Sequence, residues 1–291
     1  MATGALFDTV AVVDWSASNT PRTGADSIWI AVAGGDGCTI ENVRTRHEAV
    51  ATIAALAQPG RRTLLGVDFS LGFPRGTAAA LGLAGSPWER TWQLLAAEIT
   101  DDERNVNNRF DVADRLNRTV SPGPGPFWGC PPARSTAALS TTRPTPNDAW
   151  PPVWRHVEAH LRESGHRPFS AWQLLGAGSV GSQSLVGIAA LARLRATLGA
   201  RLAVWPFSTG LAAPDGGADV VVAEVWPSMW PYDVPAGAVK DAVQVETTAA
   251  ALTTLDRRGA LVDRFTPPLD EGIASDVVGE EGWVLGVGGS C

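Results

Sequence analysis

Short apolar runs separated by glycine-rich turns dominate the first 45 residues of the chain. Residues 10–13 are all apolar, residues 27–32 form a second run, and residues 38–40 open a third after the glycine-rich stretch 34–37. Runs of this length bounded by turn residues are typical of strands in hairpins. The pattern predicts an antiparallel meander of three strands.

Helical periodicity follows the meander. In residues 47–57, the apolar side chains Val50, Ile53 and Ala57 fall on one face, which predicts a helix. Residues 62–69 then form a largely apolar run, which predicts a buried strand.

The last third of the chain returns to alternating helices and strands. The patterns predict helices over 182–198 and 237–255, strands over 201–206 and 218–226, and a late strand or helix over 282–287. This alternation predicts an α/β fold with a mixed sheet flanked by helices.

The middle of the chain has a different character. Helical patterns cover 87–99, 105–117 and 151–164, whereas residues 119–152 contain nine prolines and predict irregular structure. We therefore expect an α/β core from residues 1–80 and 171–291. Residues 81–170 are expected to form a large helical, proline-rich insertion that acts as a cap.

Four acidic residues stand where acids are uncommon. Asp14 ends the first predicted strand, Asp68 ends the strand after the first helix, and Glu224 follows three consecutive valines. Asp241 lies near the start of a predicted helix, on the same stripe as Val245 and other apolar residues.

A carboxylate at the end of a buried strand loses hydration and needs a partner. Each acid alone is equally well explained by helix capping, by pairing with an arginine, or by contact with solvent. As a converging set they would repel one another unless a cation lay among them, and Mg²⁺ or Mn²⁺ suits an all-oxygen site. Two such ions could flank a phosphate group.

Four short motifs carry a resemblance to a known family. The motifs are V-V-D-W-S at 12–16, G-V-D-F-S-L-G-F-P at 66–74, A-E-V-W-P-S at 223–228 and K-D-A at 240–242. They resemble the uncharacterised family catalogued as domain of unknown function 429, whose members are described as predicted nucleases of ribonuclease H type. The resemblance covers about residues 8–80 and 200–290, and it does not cover the insertion.

The resemblance implies a ribonuclease H-like fold and a set of roles. Asp14 and Asp68 would be metal ligands, Asp241 the acid of the final helix, and Glu224 would lie on a neighbouring strand or its exit. We expect Glu224 to act as a further ligand or as the base that orients water. Arg75, soon after Asp68, and Lys240, the single lysine of the chain, are candidates to offset charge on a phosphate.

Charge and composition narrow the class of protein. The chain has 291 residues, 45% of them hydrophobic, and a formal net charge of −7. This is unlike a disordered chain, and the negative charge gives no general attraction for nucleic acid. We find no apolar run long enough to span a membrane, no signal-peptide pattern, and three widely spaced cysteines, so we expect a cytoplasmic globular protein.

A glycine-rich loop at 176–181 is a second candidate site. Gly176, Gly178 and Gly181 match G-x-G-x-x-G, with Ser179 between them, after a predicted strand over 171–175. The acid expected about 20 residues later in a dinucleotide site is missing. A nicotinamide or flavin site, a phosphate-binding loop and a tight structural turn therefore all remain open.

Several single residues have both a functional and a structural interpretation. Ser16 lies in a stretch that is also similar to the first phosphate loop of sugar kinases, Arg109 is a candidate anion contact, and Trp128 could stack on a base. His156 and His160 have a spacing that can bind zinc, although H-E-x-x-H is absent. Core packing or an ordinary surface role is the default interpretation of these residues.

These patterns together favour a metal-dependent phosphoester hydrolase. Its substrate would be a nucleotide, another small phosphorylated molecule or nucleic acid, with Mg²⁺ or Mn²⁺ as cofactor and no membrane partner. The alternatives are an enzyme that binds a small molecule between the loop 176–181 and the cap, or a non-catalytic binding protein on the same fold. The oligomeric state is not predicted.

Overall fold

A mixed six-stranded sheet is the centre of the fold. The computed structural model describes residues 4–35, 37–176 and 179–288. The strands are β1 (Thr9–Asp14), β2 (Ile28–Gly34), β3 (Gly37–Val43), β4 (Thr63–Val67), β5 (Leu202–Val204) and β6 (Val220–Glu224). Their order across the sheet is β3-β2-β1-β4-β6-β5.

Eight helices accompany the sheet in the described residues. They are α1 (Arg46–Ala55), α2 (Thr77–Ala80), α3 (Pro87–Glu98), α4 (Arg109–Val120), α5 (His156–Glu163), α6 (Val180–Leu198), α7 (Lys240–Arg257) and α8 (Glu271–Asp276). A wider turn of π type, Val277–Glu281, continues α8. Within these residues, none of the helices has the length and apolar character needed to cross a bilayer.

The predicted meander is confirmed. β1 pairs with β2 and β2 with β3, both antiparallel, whereas β1, β4, β6 and β5 run parallel to one another. The register aligns Val13 with Val67 and Val67 with Glu224. The C-terminal ends of β1, β4 and β6 therefore meet along one edge of the sheet.

Alternating side chains fill the two faces of the sheet. Val13 and Leu65 point into an apolar cluster that includes residues of α1, α3 and α6, and Val12 and Leu64 point into a second cluster with residues of α5 and α7. The sheet thus lies between two helical layers, and the predicted α/β class is confirmed.

The middle segment packs directly against the sheet. α3 lies on α6, and the Trp88 ring stacks on Phe207 with a centroid separation of 5.0 Å. Phe127 and Trp172 pack edge to face in the same cluster. Residues 81–170 therefore contribute to the hydrophobic core, and within this segment Arg155, α5 and the loop after α5 reach the cleft described below. A role of this segment as a cap stays a prediction.

Three predicted elements differ from the structure. Residues 171–175 do not form a strand; Gln173 makes a single bridge to Trp128. The helix predicted over 151–164 begins at His156, since Glu281 Oε2 accepts the His156 N–H there. Residues 282–287 form neither a strand nor a helix but a turn with one bridge from Val284 to β6.

Candidate functional site

Two aspartates meet where β1 and β4 end. Asp14 is the last residue of β1, and Asp68 directly follows β4. Because Val13 is aligned with Val67, the two aspartates lie side by side on the same face. Their carboxyl groups lie close enough to interact, and the Trp15 N–H donates to Asp68 Oδ1 at 2.8 Å.

Both carboxyl groups are partly buried, and this changes their protonation. Loss of hydration raises the pKa of Asp68 to about 7, and the nearby charge of Asp241 contributes to the increase. Burial, followed by the charge of Asp68, raises the pKa of Asp14 well above its ordinary value. The pair therefore holds a proton near neutral pH in the absence of a cation.

Two more aspartates surround the pair. Asp241 lies in the first turn of α7, partly buried as its apolar stripe predicts, and its Oδ2 accepts the Asp26 N–H at 2.9 Å. The charges of Asp241 and Asp26 both contribute to the raised pKa of Asp14. Sequence analysis missed Asp26 because it lies in an exposed turn before β2, where an acidic residue is ordinary.

Glu224 is not part of the acid pair. Its register places it level with Val67, one residue before Asp68, and its side chain lines the cleft described next together with Arg155. Arg155 Nη1 and Nη2 each donate to one Glu224 carboxylate oxygen at 2.7 Å. Both groups are buried, and Arg155 Nε also donates to Glu158. This ion pair already engages both oxygens that the predicted role of ligand or base would need.

A cleft of about 510 Å³ opens beside the acid pair at this edge of the sheet. Lys240, at the start of α7, and Arg167, in the loop after α5, line it and make no ion pair with any described residue. Phe169 and Trp226 supply apolar surface. The cleft thus combines the Asp14–Asp68 pair with an apolar wall and two cations that have no ion-pair partner among the described residues. The ion pairs of Arg155 with Glu158 and Glu224 line it as well.

The arrangement of the acids determines how a metal ion could be bound. Within residues 4–35, 37–176 and 179–288, no group of three or more His, Cys, Asp or Glu residues is arranged as a ready-made metal site. The predicted set of Asp14, Asp68 and Asp241 is therefore not a preformed three-ligand centre. Mg²⁺ is commonly held by one or two carboxylates together with water and substrate phosphate. Asp14 and Asp68 fit that chemistry, because they are adjacent oxygen donors that open on a cleft.

The glycine loop lacks the context of a dinucleotide site, since the described residues directly before it, 171–175, do not form a strand. Gly181 is required for packing: its N–H donates to Gln173 O at 2.9 Å, and an added Cβ would lie 2.5 Å from a backbone oxygen. Gly176 has a positive φ of 114°, and Gly178 lies outside the described residues. Ser179 precedes α6 without capping it through its side chain.

The first turn of α6 nevertheless reaches the cleft. Val180 and Gln183 both line it, and the Gln183 side-chain amide donates to the Trp15 carbonyl beside the acid pair. Phosphate binding at this helix terminus stays a prediction.

The other candidate residues lie in structural contacts outside the cleft lining. Arg75 contacts Glu281 and Asp276. Arg109 is buried, where loss of hydration lowers its pKa to about 10, and Nε donates to a serine hydroxyl of α6. The backbone N–H of Trp128 donates to the backbone carbonyl of Trp172 in the core. The Ser16 hydroxyl donates to the backbone carbonyl of Asp26 at 3.3 Å, so it stabilises the turn that contains Asp26.

The two histidines do not form a pair. His156 bonds Asp276, whereas His160 packs on the Trp283 ring. Neither belongs to a metal-binding group among the described residues.

Comparison with known proteins adds no name to this geometry. No family model, no curated protein and no solved structure matches the chain. The resemblance to domain of unknown function 429 stays a prediction.

Proposed function

We propose that the chain is a metal-dependent phosphoester hydrolase with a ribonuclease H-like core. The observation that carries the proposal is the carboxyl pair Asp14 and Asp68 at the ends of two adjacent parallel strands, open to a cleft. Lys240 and Arg167 also line this cleft and have no ion-pair partner in the described part of the chain. Neighbouring carboxylates attract a divalent cation, and the cations on the rim attract an anionic substrate.

Asp14 and Asp68 would hold Mg²⁺ or Mn²⁺, and Asp241 would add negative charge nearby. When bound, such an ion neutralises phosphate charge and makes a bound water more acidic. Lys240 and Arg167 would bind the non-bridging oxygens of the phosphate. The Gln183 amide, held by the Trp15 carbonyl, fixes the wall of the cleft nearest the pair.

The chain order of the elements supports the ribonuclease H-like assignment. An antiparallel meander comes first, its first strand ends in an aspartate, and the next parallel strand is followed by a second aspartate. A late helix then brings a third aspartate to the same edge. This is the order that the family resemblance implies.

Metal binding can be tested by thermal unfolding after removal of metal with EDTA. We expect Mg²⁺ or Mn²⁺ to raise the Tm of the wild-type protein, because a ligand specific to the folded state adds about 2.7 kcal/mol at a concentration of 100 Kd. Asp14→Asn should abolish the shift. Asp111→Asn, which removes an exposed carboxylate on α4, should keep it.

Activity requires a separate measurement on a simple phosphodiester. Wild-type protein should hydrolyse bis(p-nitrophenyl) phosphate with added Mn²⁺, and Asp14→Asn should not. A wild-type protein whose Tm does not respond to millimolar metal would contradict the proposal, as would equal activity in the two proteins.

A further inference from the structure

A second, arginine-lined groove adjoins the cleft. Its volume is about 580 Å³, and its cationic wall consists of Arg143, Arg162 and Arg167 with His166 beside them. No aspartate or glutamate is among the described residues that line it. A groove of this composition is unusual in a chain with a net charge of −7.

Trp154 organises two of these arginines. The Arg162 guanidinium lies 4.3 Å from the centroid of the Trp154 ring, and that of Arg143 lies 5.8 Å away. Such contacts hold a guanidinium in place and leave its N–H donors free. Neither arginine, nor Arg167, makes an ion pair with a described residue. Three oriented donors without an internal acid can bind an external anion.

The groove and the cleft share a wall. Arg167, Pro168 and Phe169 line both, so an extended ligand that follows this wall passes from the arginines to the acid pair. The Phe169 side chain is 43% exposed, which is high for a large apolar residue. An exposed aromatic ring beside a row of arginines is the combination that binds unpaired bases and their phosphates.

We propose that the groove binds single-stranded nucleic acid and leads a phosphodiester into the cleft, an inference that rests on the proposed hydrolase function. A single strand fits because a base must be unstacked to reach the Phe169 ring. A small phosphorylated ligand held at the acid pair and Lys240 would leave Arg143 and Arg162 without a contact.

Binding can be measured in EDTA, without hydrolysis, by the fluorescence anisotropy of a labelled oligonucleotide of about 12 nucleotides. Three phosphate contacts predict that each doubling of the salt concentration weakens binding about fourfold. The double variant Arg143→Glu/Arg162→Glu should weaken binding by about tenfold or more and flatten the salt dependence. Arg104→Glu/Arg258→Glu changes the charge equally at exposed arginines outside both sites and should bind as wild type.

Phe169 tests the stacking contact without a change in charge. Phe169→Tyr should bind as wild type, whereas Phe169→Leu, which keeps an apolar side chain, should bind roughly tenfold more weakly. Polyphosphate should compete less well than unlabelled oligonucleotide, and a duplex of the same sequence should bind more weakly.

The groove proposal is overturned if the wild-type protein does not bind at low salt or if both double variants lose affinity equally. Polyphosphate that competes as well as the oligonucleotide would show a simple polyanion site. A metal-dependent rise in Tm without oligonucleotide binding would refute the groove alone. Oligonucleotide binding without any metal response would refute the hydrolase proposal alone.

Discussion

Replacing Asp68 by asparagine should stabilise the metal-free protein, although it removes a proposed ligand. Asparagine keeps a carbonyl oxygen that can accept the Trp15 N–H, which now bonds Asp68 Oδ1 at 2.8 Å. The side-chain amide of the new asparagine can donate to the Asp14 carboxylate. In the wild-type protein, Asp14 and Asp68 compete for one proton at this place. The substitution therefore removes a repulsive charge and loses no hydrogen bond.

The size of the effect follows from the pKa of Asp68. Burial raises the pKa of Asp68 from its ordinary value of 3.8 to about 7, so the ionised carboxylate destabilises the folded protein by at most about 4 kcal/mol. Water at this half-open edge and the coupling to Asp14 reduce that cost to about 2–4 kcal/mol. For a chain of 291 residues this corresponds to a rise in Tm of about 3–7 °C.

The sign depends on pH. Between about pH 4 and pH 7 the folded wild type binds more protons at this pair than the unfolded chain does, so its stability falls as the pH rises. Asp68→Asn removes the part of this loss that is due to Asp68. Its advantage over wild type should therefore be small at about pH 4 and should reach its full value near pH 8.

Thermal and urea unfolding in EDTA at several pH values measures the effect. Asp256→Asn is the matched control, because the two oxygens of Asp256 accept the Leu6 and Phe7 N–H groups and the substitution should lower stability by about 1–2 kcal/mol. A lower Tm for Asp68→Asn near pH 8, or an advantage independent of pH, would show that the two carboxyl groups do not repel each other in the folded protein.

Two further substitutions test the packing around the site. Arg155→Met leaves Glu224 and a second glutamate buried without their cation and should cost about 3–5 kcal/mol in urea unfolding; a loss below about 1 kcal/mol would contradict the buried ion pair. Gly187→Ala places a methyl group 2.4 Å from the Phe69 ring and should cost about 1–3 kcal/mol. Gly272→Ala, a helical position with open space, should be neutral or slightly stabilising, so equal effects at both glycines would contradict the packing argument.

The sequence predicts the sheet and the acid pair for clear reasons. Apolar runs bounded by turns identify β1 to β4, and the carboxyl ends of adjacent parallel strands must share an edge. Asp14 and Asp68 both occupy that position. Asp241 follows from helical periodicity, which places it on the buried stripe of α7.

The parts that could not be predicted depend on contacts distant in sequence. Whether Glu224 joins Asp68 depends on a register difference of one residue between β4 and β6, and strand patterns alone do not fix a register. Arg155 lies 69 positions before Glu224 and is unremarkable in sequence. The arginine groove brings Arg143 and Arg162 together through Trp154, across a proline-rich segment without periodicity.

The buried acids at neighbouring strand ends differ in whether an arginine pairs with them, and this contrast supports the proposed site. Glu224, after β6, receives both donors of Arg155, so its burial is compensated within the chain. Asp14 and Asp68, after β1 and β4, have no arginine or lysine within ion-pair distance among the described residues. Burial raises the pKa of both groups, and the charge of Asp68 raises that of Asp14 further. Glu224 is thus paired with an arginine, whereas Asp14 and Asp68 have no such partner among the described residues. Two adjacent acids without a cation destabilise the fold where the cleft opens, and local destabilisation of this kind is typical of functional sites. A divalent cation would compensate the Asp14–Asp68 pair as Arg155 compensates Glu224.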